Sequence, residues 1–190
     1  CKETAKIAAK ELNIPEDAVL VASTGVIGKQ LPMDLLGQGV KKLVPLLSPS
    51  REAGALAAQS IMTTDTVSKE VAVSLEIGGK TVTLGGMCKG SGMIHPNMCT
   101  MLGFVTTDAA ISKELLQKAL SAVVKDTYNM VSVDGDTSTN DTVLLLANGM
   151  AGNQEITEEN EDYQKFLEAL LYVNTCLAKK IASDGEGATA

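Results

Sequence analysis

The residues best suited to chemistry lie in one glycine-dense stretch, residues 85–102, which contains Lys89, the single histidine His95 and Pro96. A phosphate-binding loop needs the pattern Gly-x4-Gly-Lys-Ser/Thr at the start of a helix, but here Lys89 precedes Gly90 and Pro96 prevents a helix from following. The dinucleotide pattern Gly-x-Gly-x-x-Gly is not met either. The stretch is therefore either a plain hairpin loop or a stiff loop that presents polar atoms beside the core.

The cysteine and histidine content limits the kinds of site that the chain can form. Cys1, Cys88, Cys99 and Cys176 include no Cys-x-x-Cys pair, which predicts reduced and mostly buried thiols. A single histidine leaves no His and Cys or Glu set at zinc-ligand spacing, and a histidine-dependent triad would need His95 itself as the base. We expect no metal and no cofactor.

The charge balance argues against several classes of partner. Lys and Arg total 16 against 23 Asp and Glu, a net charge of −7, and Arg51 is the only arginine. With no Trp, three Tyr and two Phe, the chain has few rings for stacking on bases. Nucleic acid and anionic membrane surfaces are therefore poor partners. Without a signal segment or an apolar run near the ~20 residues of a membrane span, we expect a soluble cytoplasmic protein.

The hydrophobic pattern predicts a mixed α/β layered fold rather than a doubly wound parallel sheet. At 190 residues and 45% hydrophobic content, the chain can form one sizeable core or two small ones. We expect the segment 85–93 to be irregular. Helices are predicted over 2–12, 32–47, 51–61, after a Ser112 cap and over 157–181, and strands over 18–22, 67–77, 81–84, 102–107 and 143–147, with Gly78 and Gly79 forming a hairpin.

Five motifs, taken in order along the chain, resemble those of a known family. Residues 89–102, followed by 106–109, are similar to the cleavage-site motif of the ornithine acetyltransferases of arginine biosynthesis. Four more stretches agree in the same order, at 23–28, 61–66, 132–142 and 184–189. Together the motifs extend over nearly the whole chain, which is more than chance agreement would produce.

The resemblance implies a layered αββα-type sandwich of the ornithine acetyltransferase and L-aminopeptidase kind, which is N-terminal-nucleophile-like. It also implies a precursor that cleaves itself between Cys99 and Thr100. Residues 1–99 would be the C-terminal part of an α chain and residues 100–190 the N-terminal part of a β chain, in a heterotetramer of two α and two β chains. The first residue, Cys1 rather than Met, agrees with a processed product or a piece of a longer chain.

Thr100 is the nucleophile that the resemblance implies. Its hydroxyl would attack the Cys99 carbonyl before cleavage, and afterwards its α-amine would lie beside its own hydroxyl. Because an α-amine has a reference pKa of about 7.7–8.0, a useful fraction is neutral at physiological pH and can accept the hydroxyl proton. No histidine is then required, and we interpret His95 as structural.

The reaction implied by the resemblance is ping-pong acetyl transfer. Thr100 would accept the acetyl group of N-acetylornithine, release ornithine and pass the acetyl group to glutamate, with acetyl-CoA as a possible second donor. By the same resemblance, the Thr24 side chain and the Gly25 N–H form the oxyanion hole.

Substrate contacts are also carried over by the resemblance, to Thr63, Lys89, Glu186 and Thr100 itself. A lysine suits a substrate carboxylate, a glutamate suits an ammonium group, and a threonine hydroxyl can bond to either. Thr63 and its neighbour Thr64 are distinguished only by motif alignment. Thr139, Asn140 and Asp141 are interpreted as turn residues before a strand.

Two alternatives stay open from the sequence. One is an amidohydrolase or aminopeptidase of related fold, in which water rather than an amine resolves the acyl-enzyme. The other is an uncleaved assembly subunit whose glycine-dense loop is only scaffolding.

Overall fold

Five α-helices and four β-strands form in the part of the chain that the computed structural model describes, residues 1–26, 28–92, 101–135, 138 and 140–187. The chain divides into two compact units, residues 1–56 and 57–190, with the boundary inside the third helix. The elements are α1 (Lys2–Leu12), α2 (Met33–Leu43), α3 (Arg51–Ser60), β1 (Lys69–Ile77), β2 (Lys80–Lys89), β3 (Leu102–Thr107), α4 (Lys113–Lys125), β4 (Thr142–Ala147) and α5 (Glu161–Ser183).

The first unit is built on the packing of α1 against α2. Helix α1 ends where predicted because Asn13 adopts a left-handed conformation, with φ 55°, and its N–H caps the helix. Pro45 lies in the 3₁₀ turn Val44–Leu46 that terminates α2. The strand predicted over 18–22 is wrong: no strand of the described chain pairs with it, and Leu20 is exposed.

The second unit contains a four-stranded sheet in the order β1-β2-β3-β4. The predicted hairpin between β1 and β2 is confirmed, with Gly78 and Gly79 at positive φ (56° and 72°), as a tight turn of this kind requires. Strands β2 and β3 are also antiparallel, whereas β3 and β4 are parallel and α4 lies between them in the chain. The fold is therefore mixed α/β, as the sequence predicts.

Helix α5 covers β1 and β2 and supplies much of the core. It begins at Glu161 rather than at residue 157, because the Asn160 side chain accepts a hydrogen bond from the Tyr163 N–H (3.0 Å) and so caps the helix there. Neither α5 nor any other helix within the described ranges is long and apolar enough to cross a membrane. The fully buried side chains of α5 include Phe166, Leu170, Val173 and Leu177.

The irregular segment predicted over 85–93 is wrong in its first half, because β2 continues through Gly85 and Gly86 to Lys89. A Cβ atom at Gly86 would lie 3.0 Å from Leu177 and 3.1 Å from Val173, both on α5. Gly86 therefore allows α5 to approach the strand closely rather than marking a loop.

A buried ion cluster, formed by Asp65, Lys69 and Asp184, joins the start of β1 to the end of α5. The Lys69 ammonium lies 2.6 Å from Asp65 Oδ1 and 2.5 Å from Asp184 Oδ2, and all three side chains are at least 95% buried. Thr66 donates its N–H (3.0 Å) and its hydroxyl to Asp184. Burial alone would raise the pKa of Asp184, but the hydrogen bonds from Lys69 and Thr66 outweigh it and hold that pKa at about 2.

The depressed pKa of Asp184 predicts acid sensitivity. The stabilisation is fully present above the ordinary aspartate pKa of 3.8 and is lost as the pH falls through about 2. We expect the free energy of unfolding in urea to fall between pH 4 and pH 2, and to fall less in Asp184→Asn. Glu159→Gln, which removes an exposed ion pair with Lys118, is the control and should keep the wild-type slope. An equal slope in wild type and Asp184→Asn would contradict this assignment.

The two adjacent strand glycines should respond differently to enlargement. Gly86→Val should destabilise the protein by about 1–3 kcal/mol, because the added atoms would enter the packed contact with α5. Gly85→Val is the matched control, because a Cβ atom there meets only the Thr106 hydroxyl at 4.0 Å. Urea unfolding of both variants would measure the difference, and equal stabilities would refute a packing role for Gly86.

Candidate functional site

The structure places the predicted site residues in three groups. Thr63, Lys89 and Glu186 belong to the second unit, whereas Thr24 and Gly25 belong to the first, in a segment without regular secondary structure. The predicted nucleophile and cleavage position, Thr100 and Cys99, lie outside the described residues.

Lys89 is a buried cation at the end of β2. Its side chain is almost fully buried, and no carboxylate of the described chain lies within the 4.0 Å of an ion pair. Burial lowers the pKa of Lys89, and the charges of Asp65 and Asp141 oppose that shift only in part. A buried ammonium without a nearby counter-ion favours the binding of an anionic group.

Asp141 lies next to the same site, at the entry to β4. Its Oδ1 accepts a hydrogen bond from the Met101 N–H (2.8 Å), and its Oδ2 is buried without a hydrogen-bond partner among the described residues. Burial raises the pKa of Asp141, against the opposing effects of the Met101 N–H and of Lys89. The residue therefore holds the backbone immediately after Thr100, in addition to occupying the turn that the sequence predicts.

Asp65 ties together the backbone around Thr63 and Lys89. Its Oδ2 accepts the Thr63 N–H (3.1 Å), and its Oδ1 accepts the Gly90 N–H (2.7 Å) as well as the Lys69 ammonium. Burial alone would raise the pKa of Asp65, but these hydrogen bonds hold it below the ordinary value. One carboxylate thus fixes the loop before β1 against the end of β2.

Ser91 connects the same strand end to the chain after α5. Its carbonyl accepts the Glu186 N–H (2.6 Å), and its hydroxyl is hydrogen-bonded to that of Thr64 (2.6 Å). The Thr64 hydroxyl is therefore engaged within the protein, whereas the Thr63 hydroxyl has no hydrogen-bond partner in the described residues. Within the described residues, this difference in hydrogen bonding distinguishes the two threonines.

The Glu186 side chain lies over Gly92. A Cβ atom built at Gly92 would come within 2.6–2.8 Å of the three carboxylate atoms of Glu186, a distance that side chains do not tolerate. Glu186 is itself exposed. Gly92 therefore keeps space for an accessible carboxylate beside the residues that follow Lys89.

The arrangement combines a cation, an anion and a hydroxyl group within one group of neighbouring segments. A ligand that carries both a carboxylate and an ammonium group is complementary to Lys89 and Glu186. Cys88 is not a competing nucleophile, because burial raises the pKa of its thiol to about 12. The described ranges contain no group of three or more His, Cys, Asp or Glu residues that could hold a metal ion.

Sequence reasoning missed Asp141, Asp65 and Lys69 as parts of the site. The parallel register of β3 and β4 pairs Leu102 with Thr142, which places the residues just before these strands side by side. The two strands are predictable individually, but their pairing is not. Asp65 lies inside the motif 61–66, which is the sequence signal that points to it.

Comparison with known proteins agrees with the five motifs. A sequence profile described as the ArgJ family matches residues 1–190. The chain is 57% identical over 187 residues to the arginine biosynthesis bifunctional protein ArgJ of Symbiobacterium thermophilum, covering 98% of this chain and 46% of that protein. Against the protein of the same name from Lactococcus lactis, the identity is 53% over 187 residues, with the same two shares covered.

A crystal structure of arginine biosynthesis bifunctional protein ArgJ from Bacillus halodurans is 54% identical, covers 47% of this chain and 42% of that chain, and has a TM-score of 0.46. The present chain spans about half the length of the curated relatives it matches. The family resemblance indicated by the sequence is confirmed by the profile match over residues 1–190, and the chain belongs to the ArgJ family.

Proposed function

We propose that the protein containing this chain transfers an acetyl group from N-acetyl-L-ornithine to L-glutamate by a ping-pong mechanism through an acetyl-Thr100 intermediate. Membership of the ArgJ family and the names of its relatives, which specify arginine biosynthesis, support this assignment. The word bifunctional in those names supports acetyl-CoA as a second acetyl donor to glutamate.

Lys89 provides the strongest structural support. Its ammonium is buried and has no carboxylate within ion-pair distance in the described chain. In the sheet, Lys89 pairs with Leu102. Leu102 follows Thr100 by only two positions in the sequence. A substrate carboxylate bound by Lys89 would therefore bring an amino acid close to the proposed nucleophile.

Maturation would begin with attack of the Thr100 hydroxyl on the Cys99 carbonyl. The peptide nitrogen leaves as the α-amine of Thr100, and water then cleaves the resulting ester to leave a Cys99 carboxylate. Residues 1–99 and 100–190 would then belong to an α and a β chain. Because β2 precedes the cut and β3 follows it, the two chains would contribute strands to one sheet.

Acetyl transfer would use the same hydroxyl twice. Thr100 Oγ attacks the acetyl carbonyl of N-acetylornithine while its own α-amine accepts the hydroxyl proton, and that proton passes to the leaving nitrogen of ornithine. The amine of glutamate then attacks the acetyl ester, and Thr100 Oγ regains a proton as N-acetylglutamate leaves. Thr24 and Gly25 would donate hydrogen bonds to the oxyanion in each half, where one such donor is typically worth ~10²–10³ in rate.

The substrate contacts follow from charge. Lys89 would bind the α-carboxylate of either amino acid, the Glu186 carboxylate would bind the side-chain ammonium of ornithine, and the Thr63 hydroxyl would bond to one of these groups. The complete enzyme would be a layered αββα sandwich of the N-terminal-nucleophile-like kind, assembled in the cytoplasm from two α and two β chains.

Replacement of Thr100 by Ala should abolish both self-cleavage and acetyl transfer. A denaturing gel with N-terminal sequencing would show no chain that starts at Thr100, and ornithine release should fall by at least about 10³-fold, because no hydroxyl remains to carry the acetyl group. Thr81→Ala, on the exposed hairpin, is the control and should behave as wild type.

Two outcomes would overturn this function. Normal acetyl transfer by Thr100→Ala would exclude the acyl-threonine intermediate. Release of ornithine from N-acetylornithine by the wild type, at a rate independent of glutamate and without N-acetylglutamate, would favour an amidohydrolase instead.

Lys89→Met should weaken substrate binding while leaving self-cleavage intact, because it keeps the buried stem and removes only the charge. A charge-assisted hydrogen bond of about 1.5–3 kcal/mol corresponds to a KM increase of about 10–150-fold for both N-acetylornithine and glutamate. Lys80→Met, at the exposed start of the same strand, is the matched control. Unchanged KM values in Lys89→Met would refute the carboxylate contact.

A further inference from the structure

The ion cluster of Asp65, Lys69 and Asp184 is unusual as a source of stability. A lysine ammonium loses its hydration when it is fully buried, and its attraction to carboxylates often does no more than offset that loss, so apolar side chains of similar volume serve as well or better. The stability of the fold alone therefore does not explain why charged residues occupy these buried positions.

Each carboxylate of the cluster also accepts backbone hydrogen bonds from a segment that carries a proposed substrate contact. Asp65 accepts N–H groups from Thr63 (3.1 Å) and from Gly90 (2.7 Å), the residue after Lys89. Asp184 accepts the Thr66 N–H (3.0 Å) and precedes Glu186 by two residues, where the Glu186 N–H is held by the Ser91 carbonyl (2.6 Å).

We propose that Lys69 is a positioning residue for substrate binding: by holding Asp65 and Asp184 at one point, it fixes the relative places of Thr63, Lys89 and Glu186. This inference rests on the proposed function, since these three residues are its substrate contacts. Lys69 itself is fully buried and would not touch substrate.

The physical basis is the distance between the parts of the chain that must cooperate. Thr63 precedes β1, Lys89 ends β2 and Glu186 follows α5, so no single element holds all three. Charge-assisted hydrogen bonds are short and directional, and here they run from one ammonium through two carboxylates to backbone N–H groups of the adjoining loops. Binding groups need placement within about 0.5 Å, so loosening this cluster should weaken substrate binding before it affects chemistry.

The test measures KM and kcat for N-acetylornithine in the full-length protein. Lys69→Met removes the central charge, and Asp184→Asn keeps the shape of the carboxylate while removing its charge. We expect KM to rise about tenfold or more in Lys69→Met and by a smaller factor in Asp184→Asn, with kcat changed less than KM in both. Because both substitutions act on one contact, the double variant should raise KM by less than the product of the single effects.

Two control variants separate positioning from general loss of stability. Lys118→Met removes an exposed ion pair with Glu159 and should leave KM unchanged. Val123→Ala creates a small cavity in the core at α4 and should lower the melting temperature without changing KM, at an assay temperature well below each transition.

The inference is overturned if folded Lys69→Met keeps KM within twofold of the wild type, or if Val123→Ala raises KM by as much at a matched melting temperature. If Lys69→Met does not fold, Asp184→Asn decides the matter, and an unchanged KM in that variant overturns the inference. A wild type that releases no ornithine overturns the proposed function and this inference together, whereas an active wild type with unaffected variants overturns the inference alone.

Discussion

The second unit depends on the contact of the Lys69 ammonium with two carboxylates. Lys69 opens β1, and its ammonium contacts Asp65, which precedes that strand, and Asp184, which follows α5. The two carboxylates also accept backbone N–H groups from the neighbouring loops. Removing one member of a buried ion set typically costs about 3–5 kcal/mol, because the others are left buried without a partner. The three charges of the cluster are therefore satisfied in the arrangement that brings the loop before β1, the end of β2 and the end of α5 together.

Much of the second unit could be predicted from local sequence signals. The hairpin at Gly78 and Gly79, the strand over 102–107 and the Ser112 cap each depend on residues within one turn or strand of each other, and all three are present. The errors arose where a distant element decided the structure. Gly85 and Gly86 look like loop residues unless the packing of α5 is known, and residues 18–22 have the composition of a strand but no pairing partner in the described chain.

For the candidate site, too, local sequence signals and contacts with distant elements contribute different information. Thr63, Lys89 and Glu186 are predicted as site residues because they belong to recognisable motifs, whereas the chemical environment of each cannot be inferred from its motif. Lys89 is identified as a buried cation without a nearby counter-ion only when β2 is known to run past the glycines. Asp141 becomes a partner of the Met101 N–H only through the parallel pairing of β3 with β4. Such pairings depend on contacts that are remote in sequence, for which local pattern carries no information.

The antiparallel pairing of β2 with β3 has a consequence for how the protein must form. Six residue pairs join strands that lie on opposite sides of the proposed cleavage position. In a continuous chain, the pairing closes a short loop, and the entropy cost of closing a loop grows only slowly with its length. In two separate chains, the same pairing would be a bimolecular encounter with an additional cost of several kcal/mol or more in lost translational and rotational freedom. The peptide bond at that position would thus act as a temporary tether, required while the sheet assembles and dispensable once it has formed.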